Sequence, residues 1–255
     1  MPKSSSAYKT VLALTLLAAG GCSNRPPASA CGHMAYQVSD PAEPANRAVF
    51  AFNRSVDDYA LAPIARGYKH LPDFTRQGVH NFTTNFGEPK VFVNDVLQGN
   101  GERAMTSLSR FMFNTTLGVA GLFDVSGKMG LDRHTSDFGQ TFAVWDMADG
   151  PIVELPVLGS HNLRDATGTV LGLALNPFGD SSDTVSTMTS VASAGGLVDG
   201  RAAALPVTDM LRLQPDYYSA LRNYTAQQRA DRVAEAEIGA PGKRPSSCQE
   251  MNSDE

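Results

Sequence analysis

The sequence predicts a mainly α-helical chain with at most one short strand. Apolar residues recur at helical spacing along most of it, a single segment reads as extended, and no serial alternating segments of the barrel-forming kind occur. The first element is a basic start at Lys3 and Lys9 followed by a short apolar run, Val11 to Ala19. That run is too short to span a bilayer comfortably, and Ala19-Gly20-Gly21 places small residues directly before Cys22, as at a cleavage site. In a bacterium, a cysteine in that position accepts diacylglycerol, and cleavage before it frees an amino group that is acylated in turn. Residues 1–21 are therefore expected to form a lipoprotein signal peptide. Cys22 is the expected lipid anchor, carrying diacylglycerol and an N-acyl chain such as palmitate. An ordinary signal peptide with a chance cysteine is the alternative. Ser23 follows Cys22 where an aspartate would signal inner-membrane retention.

Residues 22–39 read as a tether, since Asn24-Arg25-Pro26-Pro27 and scattered Ala and Ser carry no periodicity. A helical domain over residues 40–237 follows. From Pro44 to Ala60, placing residues about 100° apart puts Val49, Phe52, Val56 and Tyr59 on one side, with Arg47, Arg54, Asp57 and Asp58 on the other. Asp73 to Phe86 carries Phe74, Phe82 and Phe86 at helical spacing and is closed by Gly87 and Pro89. Pro89 to Leu97 and Glu102 to Leu117 are the next two helices, separated by the turn Gln98-Gly99-Asn100-Gly101. The extended candidate is Ile152-Val153-Glu154-Leu155, between Gly150-Pro151 and Pro156. Helices over Asn162 to Leu175, Asp183 to Ala194 and Asp216 to Glu237 complete the set, and residues 238–255 form a polar tail.

Two helices carry apolar residues on more than one sector. Phe50 falls among the charged residues of the first. On the helix from Glu102 the main face is Ala104, Leu108, Phe111 and Met112, yet Phe113 and Leu117 point almost opposite. Such a helix is either deeply buried or in contact with lipid.

Composition narrows the function. Hydrophobic residues make up 42% and charged residues 18% of the chain, a globular balance. A net charge of -5, with a pI near 5.5, excludes the basic face of a nucleic-acid binder. After the signal no apolar run reaches the length of a transmembrane helix. Attachment to a membrane would then come from acyl chains, at about 0.8 kcal/mol per buried methylene, from surface apolar patches, or from both. Of three cysteines, Cys31 and Cys248 remain beside Cys22, either bridged in an oxidising periplasm or free in polar ends.

Catalytic constellations are thin. His33, His70, His80, His134 and His161 show no HExxH or other close metal spacing, and His70 and His80 flank a helix start without a carboxylate placed to orient either one. No GxSxG elbow, Walker A loop or GxGxxG fingerprint occurs, so no enzyme and no metal or dissociable cofactor is expected. Asp57-Asp58 and Asp146 with Asp149 read as solvated acids. What stands out is a string of amides and aromatics interleaved with Gly and Pro. It runs Asn46-Arg47-x-x-Phe50-x-Phe52-Asn53, Asn81-Phe82-x-x-Asn85-Phe86-x-Glu88-Pro89, and Val93-Asn94-x-x-Leu97-Gln98-Gly99. It continues as Arg110-Phe111-x-x-Asn114-Thr115-x-x-Gly118-x-x-Gly121-Leu122-x-Asp124, then Asp137-Phe138-Gly139-Gln140-Thr141. Gly150-Pro151-x-x-x-Leu155-Pro156-x-x-Gly159 and Leu163-Arg164-Asp165 close it.

This string resembles the MlaA/VacJ family of outer-membrane lipoproteins over Asp40 to Pro177, with a weaker echo at Asp216-Tyr217-Tyr218. The resemblance implies a ring-like helical body of amphipathic helices embedded in the periplasmic leaflet of a Gram-negative outer membrane. It implies a role in lipid asymmetry: removing misplaced phospholipids from the outer leaflet, beside a porin trimer. The lipid then passes to a soluble periplasmic carrier for retrograde transport to the inner membrane. By position in the motifs, Asn46, Arg47, Phe50 and Asn53 are candidates for controlling a channel or its entry; alternatively Asn46 and Arg47 tie a helix start to a neighbour. Arg110 and Asn114, one turn apart, either touch phosphate or bind Asp124 or Asp165. Gly118, Gly121, Gly150 and Pro151 read as backbone devices at turns. Asn162, Arg164 and Asp165 read as a helix start with a local ion pair. The rival readings are a lipoprotein scaffold that organises the envelope without moving lipid, and a lipid hydrolase lacking a recognisable nucleophile.

Overall fold

Two helices that each begin with proline in the first turn open the computed structural model, which describes residues 38–175 and 183–237. The expected signal peptide, Cys22, the tether with Cys31, and the tail with Cys248 lie outside these residues. Helix α1 (Glu43–Val56) carries Pro44 where a missing N–H costs nothing. The helix expected to run to Ala60 widens at Asp57–Leu61 into a π turn, in which the Ala62 N–H donates back to the Asp57 carbonyl. Pro63 explains the step, because it has no N–H for the carbonyl four residues back. Helix α2 (Ala62–Lys69) follows.

Gly87 and Pro89 signal a helix end, but helix α3 (Asp73–Leu97) runs unbroken through both. Its contacts with helix α4 (Gly101–Thr116) override the local signal. On one side of Pro89, Asn85 Nδ2 donates to Thr115 Oγ1 at 2.9 Å; on the other, Ser107 Oγ donates to Asp95 Oδ2 at 2.8 Å. Asn100 caps α4 by accepting the Arg103 N–H at 3.2 Å. Short helices α5 (Val125–Lys128) and α6 (Phe138–Val144) are started by Asp124 and Asp137, each accepting a backbone N–H three residues on.

The expected strand β1 (Ile152–Leu155) is present but has a partner. It pairs antiparallel with β2 (Gly159–Asn162), Ile152 opposite Asn162 and Leu155 opposite Gly159, which amends one strand to a hairpin. The sequence of β2, Gly-Ser-His-Asn, has no strand propensity of its own and pairs because the turn at Val157 and Gly159 folds it back. Helix α7 (Leu163–Ala174) starts at the expected cap, Asn162 Oδ1 accepting the Asp165 N–H at 2.8 Å. Helix α8 extends past the expected Ala194 to Leu211, through Pro206. Its small residues allow the extension, since a Cβ on Gly195 would already lie 3.1 Å from Thr83 of α3. Helix α9 (Tyr217–Glu237) closes the described chain.

Contacts between these elements close a ring. The order is α1, the π turn, α2, α8, α3, α6, α7, the hairpin and α1 again; α4 flanks α3, and α9 crosses from α8 to α6 and β2.

The interior of this ring reverses the usual order of a protein in water. Its apolar core is thin and mostly alanine: Ala62, Ala65, Ala202 and Leu205 where α2 meets α8, and Val144 with Ala236 where α6 meets α9. The largest fully buried side chains are Arg110, Gln140, Asn85, Asn94 and Asn114. Exposed instead are Phe52, Tyr59, Ile64, Phe74, Met105, Met112, Leu117, Phe123 and Trp145, with Tyr59 89% and Phe74 77% accessible. Periodicity places the faces correctly but not their direction. On α1 the residue that is buried is Asn46, while Phe52 and Tyr59 face out. On α4 the buried stripe is Ala104, Ser107, Arg110 and Asn114. Among the described residues, no helix is long and apolar enough to cross a membrane.

Candidate functional site

The motif residues assemble into polar clusters at the seams between the elements of the ring and the helices that flank it. The first clasps the hairpin to α1. Asn46 Nδ2 donates to Asp40 Oδ1 at 2.7 Å and the Ile152 carbonyl at 3.0 Å, and its Oδ1 accepts the Glu154 N–H at 3.0 Å. Two turns on, Asn53 Nδ2 donates to Glu154 Oε1 and the Leu155 carbonyl, both at 2.9 Å, and Oδ1 accepts the Val157 N–H at 2.7 Å. Each amide thus replaces the strand neighbour that β1 lacks on its open edge. Arg47 donates Nε to Glu43 at 2.8 Å and Nη1 to Asp216 at 3.0 Å, and its guanidinium lies 4.6 Å from the Tyr218 ring centroid. Phe50, apparently stranded among charges, packs edge-on to Tyr217 and Tyr218 at 5.4 and 5.3 Å. Asn46, Arg47, Phe50 and Asn53 are therefore brought together, as a joint tying α1 to the hairpin and to the start of α9.

The second cluster centres on Arg110, whose side chain is 1% exposed. Nε donates to Glu88 Oε1 at 2.9 Å, Nη2 to both Asp124 oxygens at 3.1 and 3.2 Å, and Nη1 to the Leu131 carbonyl. Asn114 Nδ2 donates to Asp124 Oδ1 at 3.0 Å, and its Oδ1 accepts the Ser126 N–H at 3.0 Å. Arg110 and Asn114 do meet, but their shared partner is Asp124, one of the two alternatives to phosphate. Burial pushes the Asp124 carboxyl up; the Gly127 N–H, Asn114, Ser126 and Arg110 more than reverse that and hold it below the usual carboxylate range. For Glu88 burial wins over Arg110, Arg133 and His134, and its carboxyl titrates above the ordinary range.

Several groups around this hub are only partly satisfied. Asn85 Oδ1, Glu88 Oε2 and Asp95 Oδ1 of α3 and Oε1 of its C-cap Gln98 are buried without hydrogen-bond partners, as are Nε and Nη2 of Arg133. Polar groups buried this way are suited to ordered water. Arg133 also receives what sequence spacing hid: its Nη1 lies 2.9 Å from His80 Nε2, and His80 Nδ1 lies 2.8 Å from Asp199 Oδ2. His80 does have an orienting carboxylate, supplied by α8 from a position far along the chain.

At the third cluster Arg229 of α9 clamps two helix starts together, reaching the cap Asp137 at 2.7 and 2.8 Å and first-turn Asp165 at 2.8 and 3.0 Å. Arg164 Nε donates to Asp165 Oδ1 at 3.0 Å, the expected local ion pair. One constellation has the composition of a hydrolytic triad, Asp95, Ser107 and His134. Its wiring is wrong for one. Ser107 Oγ, at 3.2 Å, and Asp95 Oδ2, at 2.8 Å, both meet the same nitrogen of His134, Nε2; Ser107 Oγ also donates to Asp95 Oδ2 at 2.8 Å, and Ser107 is fully buried. A nucleophile needs an accessible hydroxyl facing an imidazole that a carboxylate orients through its other nitrogen.

Comparison with known proteins places this geometry in a family. The MlaA lipoprotein family matches residues 38–232. An uncharacterized protein of Rickettsia felis is 46% identical over 143 residues, 55% of this chain and 57% of that protein. The chain thus spans little more than half the length of that relative. The intermembrane phospholipid transport system lipoprotein MlaA of Shigella flexneri is 34% identical over 216 residues, 81% of this chain and 83% of that protein. The Escherichia coli protein of the same name is 39% identical over 135 residues, 51% of this chain and 54% of that protein. A structure solved for the basis of bacterial outer membrane lipid asymmetry superposes with a TM-score of 0.65 at 34% identity, over 76% of this chain and 99% of that one.

Proposed function

We propose that this chain, which belongs to the MlaA lipoprotein family, draws misplaced phospholipid out of the outer leaflet of the outer membrane and hands it to a periplasmic carrier. The observation that carries this is the inverted body: apolar side chains outside, amides and charges inside, around a closed ring of helices. An apolar exterior suits acyl chains as solvent. A polar interior suits the lipid head group, whose charges are costly to strip of water unless hydrogen-bonding groups replace it. Cys22 with its diacylglycerol and N-acyl chain anchors the body to the periplasmic leaflet, and a porin trimer beside it gives access to the outer leaflet. Delivery to the carrier returns the lipid to the inner membrane. The step is passive, since neither covalent chemistry nor a nucleotide is needed to move a lipid down its gradient. Asn46, Arg47, Phe50 and Asn53 act on the path by holding the hairpin against α1. Arg110 and Asn114 act by fixing the hub from whose edge the partly exposed Arg133 meets the passing lipid.

The test is the phospholipid content of the outer leaflet in cells with and without this protein. A rise on deletion, reversed by the intact chain and not by a Cys22→Ala form, is the expected result. An unchanged outer leaflet with disturbed envelope shape or wall attachment would overturn the proposal in favour of a scaffold.

A further inference from the structure

A cavity of about 270 Å³ opens where the end of α2, the first turn of α3 and the middle of α8 meet. At about 30 Å³ per water it holds on the order of nine waters, room for a small head group and little more. Its walls are oppositely charged. Lys69 and Arg76 supply the positive wall. Lys69 has no protein partner among the described residues, and Arg76 uses Nε on the Leu71 carbonyl at 3.2 Å and Nη2 on Asp73, leaving Nη1. The negative wall is Asp199. Its Oδ1 accepts from Tyr68 Oη at 2.9 Å and its Oδ2 lies 2.8 Å from His80 Nδ1, one partner on each oxygen where a carboxylate has two lone pairs. Burial and that bond to Asp199 push the Tyr68 hydroxyl up to about 12, so at neutral pH it remains a donor.

A backbone acceptor belongs to the same lining. Residue 206 is proline and has no N–H for the carbonyl of Ala202 one turn back, and both residues line the cavity. Through His80 and Arg133, Asp199 also connects to the Arg110 hub, Arg133 lying 3.9 Å from both Glu88 and Asp124.

We infer that this cavity receives a phosphodiester head group bearing a primary ammonium, the phosphate against Lys69 and Arg76 and the ammonium against the two carboxylate oxygens of Asp199. The inference rests on the lipid-transport function proposed above and adds a preference to it. A primary ammonium brings three donors to two acceptors. A trimethylammonium brings none and is recognised by an aromatic cage, whereas Tyr68 is the one aromatic residue lining this cavity. A glycerol head group has no charge for Asp199 to meet.

The experiment is saturation-transfer NMR on the full-length chain in mild detergent, titrated with glycerophosphoethanolamine, glycerophosphocholine, glycerophosphoglycerol and inorganic phosphate. The ethanolamine compound is expected to bind at least about tenfold more tightly than the other three. Lys69→Ala, at an exposed unpartnered residue, is expected to weaken binding about tenfold. Asp199→Asn keeps an acceptor for Tyr68 and is expected to abolish the preference for the ammonium. Ala203→Leu fills the cavity from an exposed position without touching a charge, and binding should be lost. Equal binding of all four compounds, tightest binding of inorganic phosphate alone, no binding, or full retention by Ala203→Leu would each overturn the site. None of those results bears on outer-leaflet phospholipid in cells, so this site can fail while the transport function stands. An unchanged outer leaflet would remove the function whatever the cavity binds.

Discussion

Arg110 neutralises Glu88 and Asp124 at once and satisfies the Leu131 carbonyl, all within the α3–α4 seam. Arg110→Met is therefore expected to cost about 3 kcal/mol, since it leaves the buried Glu88 and the half-buried Asp124 with Arg133, at 3.9 Å from each, as their remaining counter-charge. Urea unfolding of the detergent-solubilised chain checks this, and a loss below about 1 kcal/mol would show the hub to be solvated. Acid should act on the same groups. Asp40, Asp57, Asp124 and Asp137 titrate below the ordinary 3.8, burial raising each but their arginine, amide and hydroxyl partners winning. Each holds its proton less tightly folded than unfolded, so that stability is present above about pH 4 and is lost as pH falls below it. Glu88 and Glu154 are raised above 4.5 by burial and work the other way, favouring the fold toward acid and losing that as pH rises past their range. Asp216, held down chiefly by its hydrogen bond from Arg47, makes a fifth depressed carboxylate against two raised, so a pH series of unfolding midpoints is expected to fall steeply below about pH 4. A midpoint that rose from pH 4 to pH 3 would contradict the pairing. At this scale the sequence is legible where partners are close. Arg110, Asn114 and Asp124 lie within fourteen residues, and Asp124 is nameable as their partner. Asp199 is 119 residues from His80, and no local signal connects them.

Between α4 and α5 the chain makes a left-handed turn at Val119, Ala120 and Gly121, with φ of 53°, 56° and 89°. Side chains rarely tolerate this backbone, yet here six N–H groups hold it: those of Leu117, Gly118, Ala120, Gly121, Leu122 and Phe123 all donate to carbonyls within Phe113–Val119. Glycine at 121 also lets Asn85 approach, for a Cβ there would sit 2.6 Å from the Asn85 side chain. Gly121→Ala is expected to lose about 1–2 kcal/mol from the left-handed backbone alone, with the clash added, read as a lowered thermal midpoint. An unchanged midpoint would show that neither the left-handed backbone nor the Asn85 contact constrains this position. Turn glycines, helix caps and the strand at Ile152 are readable in the sequence because their chemistry is local. The continuity of α3 through Pro89 and of α8 through Pro206 is not, because packing against α4 and α2 decides it. Nor is β2, which owes its form to the turn and to β1.

The whole molecule turns its polar faces to one another and its apolar faces outward. Helical spacing in the sequence finds both faces but is silent on which one faces inward, since periodicity has no sign. A protein folded against water settles that by burying the apolar face, and here the motif amides occupy that place instead. Phe113 and Leu117, opposite the main apolar face of α4, are the residues that raise the question, and Leu117 is exposed.

If lipid is the solvent of this surface, the chain should stay with membranes when its acyl anchor is gone. Carbonate extraction of cells expressing Cys22→Ala is expected to leave it in the membrane fraction, and full release would show the acyl chains to be its sole attachment. The most direct reading comes from the single tryptophan, Trp145, which is 52% exposed with Nε1 fixed on the Leu97 carbonyl at 3.1 Å. Its emission would be recorded with the chain reconstituted into phospholipid vesicles, with and without bromine on the acyl chains. A blue-shifted emission quenched by the brominated lipid is expected if the exterior faces the bilayer. Emission at the wavelength of water-exposed indole, indifferent to bromine, would contradict it.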